Sequence, residues 1–209
     1  KKTICELQTI PLTNLNKNEK ITSFLNIYQI MYVHKLLREK IDKTVTDGLV
    51  GRIKGFVRSD PESFYYNINH LTFTLEDITH GVLRGNKKAP NSYYFRNFGE
   101  RDPRNRIVEI NDPRVIFVFN LDETIPPKLD VFTPSDLEEK LDRKCKEYLA
   151  STVIYDPNES ELILPSVFKT YKDDLGDQES LINFVLRFNK FTNNPAEIKQ
   201  LLKQGKLFI

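Results

Sequence analysis

Apolar residues recur at steps of three and four between Asn18 and Lys40, and this spacing predicts a long amphipathic helix. Glu19 falls in its first turn and Arg38 near its end, where each charge suits the helix dipole. The apolar positions of this pattern are Ile21, Phe24, Leu25, Tyr28, Met31, Tyr32 and Leu36. We therefore expect one face of the helix to be buried.

A hairpin and a short helix are predicted next along the chain. Aromatic and β-branched runs within residues 64–74 flank Asn69-His70, so we expect two strands that turn at this pair. Thr74 and Asp77 then have the spacing of a capping box, with Asp in place of the usual Glu. This spacing predicts that a helix over 75–84 begins at Thr74.

The second half of the chain mixes both kinds of element. The continuous apolar run 115–119 is typical of a buried central strand. A helix is predicted over 135–149, with Ser135 as N-cap and Glu138 completing a capping box. The remaining predicted elements are a hairpin of residues 152–155 and 161–164 and helices over 165–173, 178–191 and 195–204. The hairpins argue against an all-parallel sheet. We expect an α+β fold, with a small mixed or antiparallel sheet packed by the long N-terminal helix and several shorter ones.

Length and charge narrow the class of protein. The 209 residues, 39% of them hydrophobic, predict one domain over residues 1–209. The 31 basic and 29 acidic residues leave a formal charge of only +2, which argues against nucleic acid as the main partner. No apolar run approaches the roughly 20 residues that span a bilayer. A start at Lys1 without Met and a strand-like end over 206–209 suggest a domain excised from a longer protein and truncated at its C-terminal end.

Redox and cofactor signals are weak. Cys5 and Cys145 lie far apart without metal-type spacing, which indicates two unpaired thiols and a reducing, cytoplasmic compartment. The glycines at 48 and 51 are not followed by the Lys-Ser/Thr of a phosphate-binding loop. The sequence also has no set of residues with metal-ligand spacing, so we expect no cofactor and no metal.

A long polar stretch over residues 86–106 is rich in Arg, Asn and Pro. Loops of this length within a compact domain are often functional. Tyr93, Tyr94 and Arg96 lie inside it and are residue types that anchor protein interfaces. Two interpretations stay open: a surface loop pinned by its own aromatic side chains, or a loop that binds a protein partner.

Four stretches, in this order, resemble one family. They read F-L-N-I-Y-Q at 24–29, L-E-D-I-T-H-G-V-L-R at 75–84, D-P-R-V-I-F at 112–117 and P-S-V-F-K-T-Y-K-D-D-L-G at 165–176. Together they resemble the domain of unknown function 547 over roughly residues 18–209. Plant members of that family are described as ternary-complex-factor, leucine-zipper-associated proteins, and members in other eukaryotes carry signalling modules. The resemblance therefore implies a signalling context without an established activity.

The resemblance also implies a site on the first helix. The family pattern there is N-x-Y-N with a His five residues on; Asn26, Tyr28 and His34 match it, and Gln29 replaces the second Asn. These matching residues are our candidate binding residues. A buried Asn needs partners, so we expect Asn26 to tie the helix to a loop or to the predicted 115–119 strand. For His34, a structural role and a retained site role both stay open.

The chain departs from the family where a nucleophile would lie. After the D-P-R strand the family usually carries a C-G-x-x-S-C-P type loop, whose thiol near the helix His would form a nucleophile and base. Here residues 120–127 read N-L-D-E-T-I-P-P, without cysteine. His34, Asp122 and Glu123 remain as candidates for acid–base catalysis. Adjacent carboxylates in a loop are more often simply solvated.

Two functions follow from this reasoning. The first is a non-catalytic protein-interaction module of a cytoplasmic signalling or scaffold protein. The second is a hydrolase- or transferase-like site, distantly related to papain and transglutaminase enzymes, that uses His34 with Asp122 or Glu123. The surroundings of His34, an open surface or a packed core, are the feature that bears most directly on the choice.

Two further motif positions are expected to be structural. His80, on the helix predicted over 75–84, is expected to form a local hydrogen bond. Asp112 and Arg114 flank Pro113, where ion pairing or capping is the natural use of both side chains.

Overall fold

The chain contains two compact units. A computed structural model describes residues 7–49, 64–90, 97–107, 112–119, 128–189 and 195–204, except for the side chains of Thr13 and residues 39–49. Unit 1 comprises residues 1–110 and 125–134, and unit 2 comprises residues 111–124 and 135–209. The organisation as a single domain, expected from length, stays a prediction.

Unit 1 is built on a long helix, α1 (Lys17–Leu49), which extends nine residues beyond the predicted end. Asn16 and Glu19 begin it with a reciprocal capping box: each backbone N–H donates to the other side chain, at 2.8 and 3.0 Å. The predicted apolar face is buried, including Phe24 and Leu25. Short 3-10 helices precede and follow α1 at Leu7–Thr9, Leu12–Asn14 and Pro103–Ile107.

The predicted hairpin is present as β1 (Tyr65–Ile68) and β2 (Leu71–Thr74), paired antiparallel. Asn69 and His70 both have positive φ, 49° and 60°, which is the backbone of a type I′ turn. Phe73 faces the core, and its ring centroid lies 5.7 Å from that of Phe24. The hairpin therefore packs one face against α1.

A π-helix over Asp77–Leu83 follows β2. The predicted capping box is formed, because Thr74 N donates to Asp77 Oδ2 at 2.9 Å and Asp77 N donates to Thr74 Oγ1 at 3.1 Å. The wider winding is visible in bonds that span five residues, such as Asn86 N to Gly81 O at 2.8 Å. The helix predicted over 75–84 is confirmed in place, but most of it is not an α-helix.

The strand predicted over 115–119 is wrong. Pro113–Val118 is a 3-10 helix, and four of its six residues are buried. Asp112 caps it by accepting from Arg114 N at 3.0 Å, and Pro113 supplies a φ suited to the first helical turn. Because a short apolar run buried on all sides lacks periodicity, a strand and a helix cannot be told apart from such a pattern.

The main helix of unit 2 is α2 (Leu137–Thr152). It begins two residues after the predicted Ser135, so the prediction of Ser135 as N-cap is wrong. Asp136 occupies the N-cap position, and its carboxylate accepts from Lys140 Nζ at 2.7 Å. A turn over residues 134–136 delays the helix start.

A second antiparallel hairpin and four short helices complete unit 2. Their bounds are β3 (Ile154–Asp156), β4 (Glu161–Ile163), α3 (Val167–Thr170), α4 (Lys172–Leu175), α5 (Gln178–Phe188) and α6 (Pro195–Lys203). Among the described residues, the strands form two separate two-stranded antiparallel sheets. The fold is α+β, as predicted.

Candidate functional site

Two amide side chains of α1 bind the backbone of one segment. Asn26 Nδ2 donates to Phe132 O at 2.8 Å, and its Oδ1 accepts from Phe132 N at 2.9 Å. Gln29 forms the same pair with Asp130, with Nε2 to O at 2.7 Å and N to Oε1 at 2.8 Å. We call Asn26 and Gln29 the amide clamp. Asn26 was predicted to bind either a loop or the 115–119 strand, and the structure shows that it binds a loop.

The segment that the clamp holds, residues 128–133, is called the strap. It has neither helix nor strand of its own. The clamp binds alternate strap residues, as a neighbouring strand would in a β-ladder. Between and beside them, Leu129 and Val131 expose 55% and 71% of their surfaces. The clamp therefore orders a segment that carries exposed apolar side chains.

His34 lies one turn beyond the clamp and is exposed. Its Nδ1 is 2.9 Å from Tyr66 Oη, and the Phe64 ring meets its ring edge-on at 5.2 Å between centroids. Burial raises the pKa of Tyr66, which keeps the phenol protonated. The hydrogen bond fixes the imidazole plane whichever partner donates. His34 is thus an oriented surface histidine, not a core one.

The other predicted binding residues have different settings. Tyr28 is buried, and its ring stacks on Tyr32 at 6.0 Å between centroids. Tyr93, Tyr94 and Arg96 lie outside the described residues, as do Asp122 and Glu123, which were predicted for acid–base chemistry. Their roles stay predictions.

His80 is buried in the π-helix and makes the local hydrogen bond expected of it. Its Nδ1 lies 2.6 Å from Arg84 Nη1, and the same guanidinium nitrogen donates to Lys88 O at 3.0 Å. Burial first, and then the charge of Arg84, lower the pKa of His80 to about 3. The imidazole is therefore neutral at pH 7 and can accept a hydrogen bond from Arg84.

Asn86 and Arg104 hold the described part of the 86–106 stretch in place, although nothing in the sequence marks either as a site residue. Asn86, at φ 59°, donates to Phe98 O at 3.0 Å and accepts from Phe98 N at 2.6 Å. Arg104 lies over the Phe98 ring at 4.3 Å and forms an ion pair with Asp77 at 2.9 Å. The sequence carries part of this signal, since Asn is one of the few non-glycine residues enriched at positive φ.

A charged network in unit 2 surrounds Arg114. Its guanidinium meets Asp112 at 2.6 Å, Glu138 at 2.7 Å and Asp142 at 2.6 Å. The hydrogen bonds of Asp112 are the main cause that raises the pKa of Arg114. The predicted capping and ion-pairing roles of Asp112 and Arg114 are both observed.

Cys145, the described cysteine, offers no accessible nucleophile. It lies within α2 and is fully buried. Burial raises the pKa of its thiol, which disfavours the thiolate. Within the described ranges, no group of three or more His, Cys, Asp or Glu residues is arranged to hold a metal ion. Of the helices in the described part of the chain, none combines the length and apolar character that a bilayer crossing requires.

The chain is thus an α+β protein in which Asn26 and Gln29, two residues of the motif on α1, tie the strap to that helix. Residues 12–149, more than half of the chain, match the family described as "Protein of unknown function, DUF547", and the chain belongs to that family. The fourth resembling stretch, 165–176, lies beyond the matched residues. No curated protein and no solved structure matches the chain.

Proposed function

We propose that the chain is a non-catalytic protein-interaction module that docks a partner on one face of α1. The observation that carries this proposal is an exposed stripe of Ile30, His34 and Leu37, called the docking stripe. Ile30 and Leu37 expose 62% and 54% of their surfaces, and His34 is also exposed. Residues at i, i+4 and i+7 share one helix face. Such a stripe suits the apolar face of a partner helix.

Charge and length specify the partner. Between Ile21 and Arg38 the helix has no acidic residue, and its charged residues are Lys35 and Arg38. At 1.5 Å per residue the docking stripe is about 10 Å long, or two helical turns. An acidic amphipathic helix of two or more turns complements both properties. We take that helix as the occupant.

The motif residues support a non-catalytic role. Both polar groups of the Asn26 amide are engaged by Phe132. Cys145 is buried, and the 120–127 sequence has no thiol. Without metal-type spacing, Cys5 and Cys145 support a reducing compartment, and we place the module in a cytoplasmic signalling or scaffold protein.

The test uses a displayed library of 16-residue peptides with apolar residues fixed at i, i+4, i+7 and i+11 and other positions free. The chain is expected to enrich acidic peptides. The tightest binder, labelled with fluorescein and called the selected peptide, is then titrated by fluorescence anisotropy. A dissociation constant below roughly 100 µM, about 5.5 kcal/mol, is expected.

Two variants and a matched control locate the binding. Ile30→Glu and Leu37→Glu are expected to weaken the selected peptide at least roughly tenfold, because each removes an apolar contact and adds like charge. Ile154→Glu changes an equally exposed isoleucine in β3, 60% exposed, and should leave binding unchanged. Equal affinities in all three variants, or no peptide enriched, would refute the docking stripe.

One observation favours a second candidate, the hydrolase- or transferase-like site. His34 is exposed and its ring is held by Tyr66, which suits a general base. Under this proposal, hydrolysis of activated esters and thioesters falls to background in His34→Ala. His70→Asn, at the exposed hairpin turn, is the control. Equal rates in both variants would remove this candidate.

A further inference from the structure

We propose that the strap forms the second wall of the same docking surface, and that the amide clamp of Asn26 and Gln29 positions it there. This inference rests on the proposed function, because it takes the same acidic helix as the occupant. It adds Leu129 and Val131 to the contact surface. It also gives the clamp residues a task beyond stability.

The placement follows from the hydrogen bonds of the clamp. Gln29 binds Asp130 through both backbone groups. Ile30 follows Gln29 in the helix, and Val131 follows Asp130 in the strap. Ile30 and Val131 are therefore each the chain neighbour of one member of the hydrogen-bonded pair Gln29–Asp130. Apolar side chains of the helix and the strap are brought to one part of unit 1.

The direction of the strap extends this surface along α1. As helix numbering rises from Asn26 to Gln29, the bound strap residue falls from Phe132 to Asp130. The strap therefore runs antiparallel to α1, and Leu129 lies toward the C-terminal end of the helix, as Leu37 does. Grouped exposed apolar residues of this kind mark interaction sites more often than isolated ones do.

Charge on the strap agrees with the same occupant. Lys128 precedes Leu129 and is exposed, whereas the acidic residue of the strap, Asp130, is half-buried. The charge of Lys128 has the sign of Lys35 and Arg38 on the helix. An acidic helix that contacts both walls would meet positive charge from each, which favours it over a basic helix of the same apolar pattern.

The clamp makes this wall rigid before the partner arrives. A segment without sheet partners loses conformational entropy when it is ordered by a ligand, and this loss lowers affinity. Four hydrogen bonds from two side chains impose that order in the free protein. Loss of the clamp should therefore weaken binding even when every contacting side chain is retained.

The strap is tested with the selected peptide and variants that leave the clamp intact. Leu129→Ser and Val131→Ser are expected to raise the dissociation constant roughly tenfold each. Ile163→Ser, an exposed isoleucine of β4, should leave it unchanged. If Ile30→Glu abolishes binding while both strap variants bind as the wild type does, the docking stripe stands and the strap wall is overturned. If all of these variants bind normally, both proposals fail.

The positioning role is tested with Gln29→Ala. Proton–nitrogen spectra should show faster hydrogen exchange at the Asp130 amide, and anisotropy should show weaker binding, although Leu129 and Val131 are unchanged. A merely structural role predicts a lower melting temperature with unchanged affinity, and that result would overturn the positioning role. If Gln29→Ala does not fold, peptide-induced shifts of the Val131 amide in the wild type decide the matter, and their absence overturns the strap wall.

Discussion

Replacement of Gly81 by Ala tests the packing of the π-helix against the residues that follow it. A Cβ at Gly81 would lie within 3.0 Å of three ring carbons of Phe98, closer than real Cβ atoms approach any neighbour. The ring has little room to retreat. Phe98 is fully buried, and Asn86 binds both its backbone N–H and its carbonyl. The substitution must therefore displace the ring, the helix or both.

The expected cost follows from two opposed effects. Overpacking of a well-filled core destabilises by about 1–3 kcal/mol, and a ring held in place puts this site at the upper end. Ala stabilises a helix interior over Gly by up to about 1 kcal/mol, and less in a helix wound this widely. We expect Gly81→Ala to lower the free energy of unfolding by about 2–3 kcal/mol. For a chain of this size, that lowers the melting temperature by roughly 4–12 °C.

Thermal and urea unfolding measure this change, with Gly99→Ala as control. A Cβ at Gly99 meets no atom within 4 Å among the described residues, so this variant should stay within about 0.5 kcal/mol of wild type. Phe98→Leu should partly relieve Gly81→Ala, and a double-mutant cycle should give a coupling of about 1 kcal/mol or more. Equal stability of the two alanine variants, or strict additivity in the cycle, would refute the packing argument.

Three further changes test other parts of the molecule. Asn26→Ala removes two hydrogen bonds to Phe132 and should cost about 2 kcal/mol in urea unfolding. Arg114→Met leaves Asp112 charged and half-buried, and urea unfolding should show a free energy of unfolding lower by about 3 kcal/mol, with a smaller loss in high salt. Arg143→Met, which changes an exposed arginine, is the control. The pKa of His80 is lowered to about 3 in the folded protein, so its stabilising effect is complete above about pH 6.5 and is lost as pH falls. Between pH 6.5 and 4.5, the free energy of unfolding of the wild type should therefore fall more steeply than that of His80→Gln, by up to about 1.4 kcal/mol per pH unit. Urea unfolding at several pH values measures both slopes, and equal slopes would contradict this prediction.

Sequence reasoning succeeded where a local signal matched a local structure. The Asn69-His70 turn and the Thr74–Asp77 capping box are each set by residues within three positions of one another, and both are observed. The strand predicted over 115–119 failed for the opposite reason. Its composition reports burial, whereas its helical path is set by the capping of Asp112 and the restricted φ of Pro113.

The candidate site was only partly predictable for a similar reason. Asn26 is expected from the sequence to bind a loop or the predicted 115–119 strand, but its partner Phe132 lies 106 residues away, and no pattern near either residue points to the other. In the sequence, Gln29 stands out only because it replaces the family's second Asn. The longer side chain still reaches a backbone pair, so the amide chemistry survives the replacement.

The clamp also fixes which strap residues face outward. Side-chain amides substitute here for a neighbouring backbone, so the alignment of the segment depends on two hydrogen bonds at each of two strap residues instead of on a continuous ladder. A slip by a single residue would exchange the two faces, and would turn the buried Phe132 toward water while hiding Val131. Two amides thereby decide whether this stretch presents its aliphatic or its aromatic side.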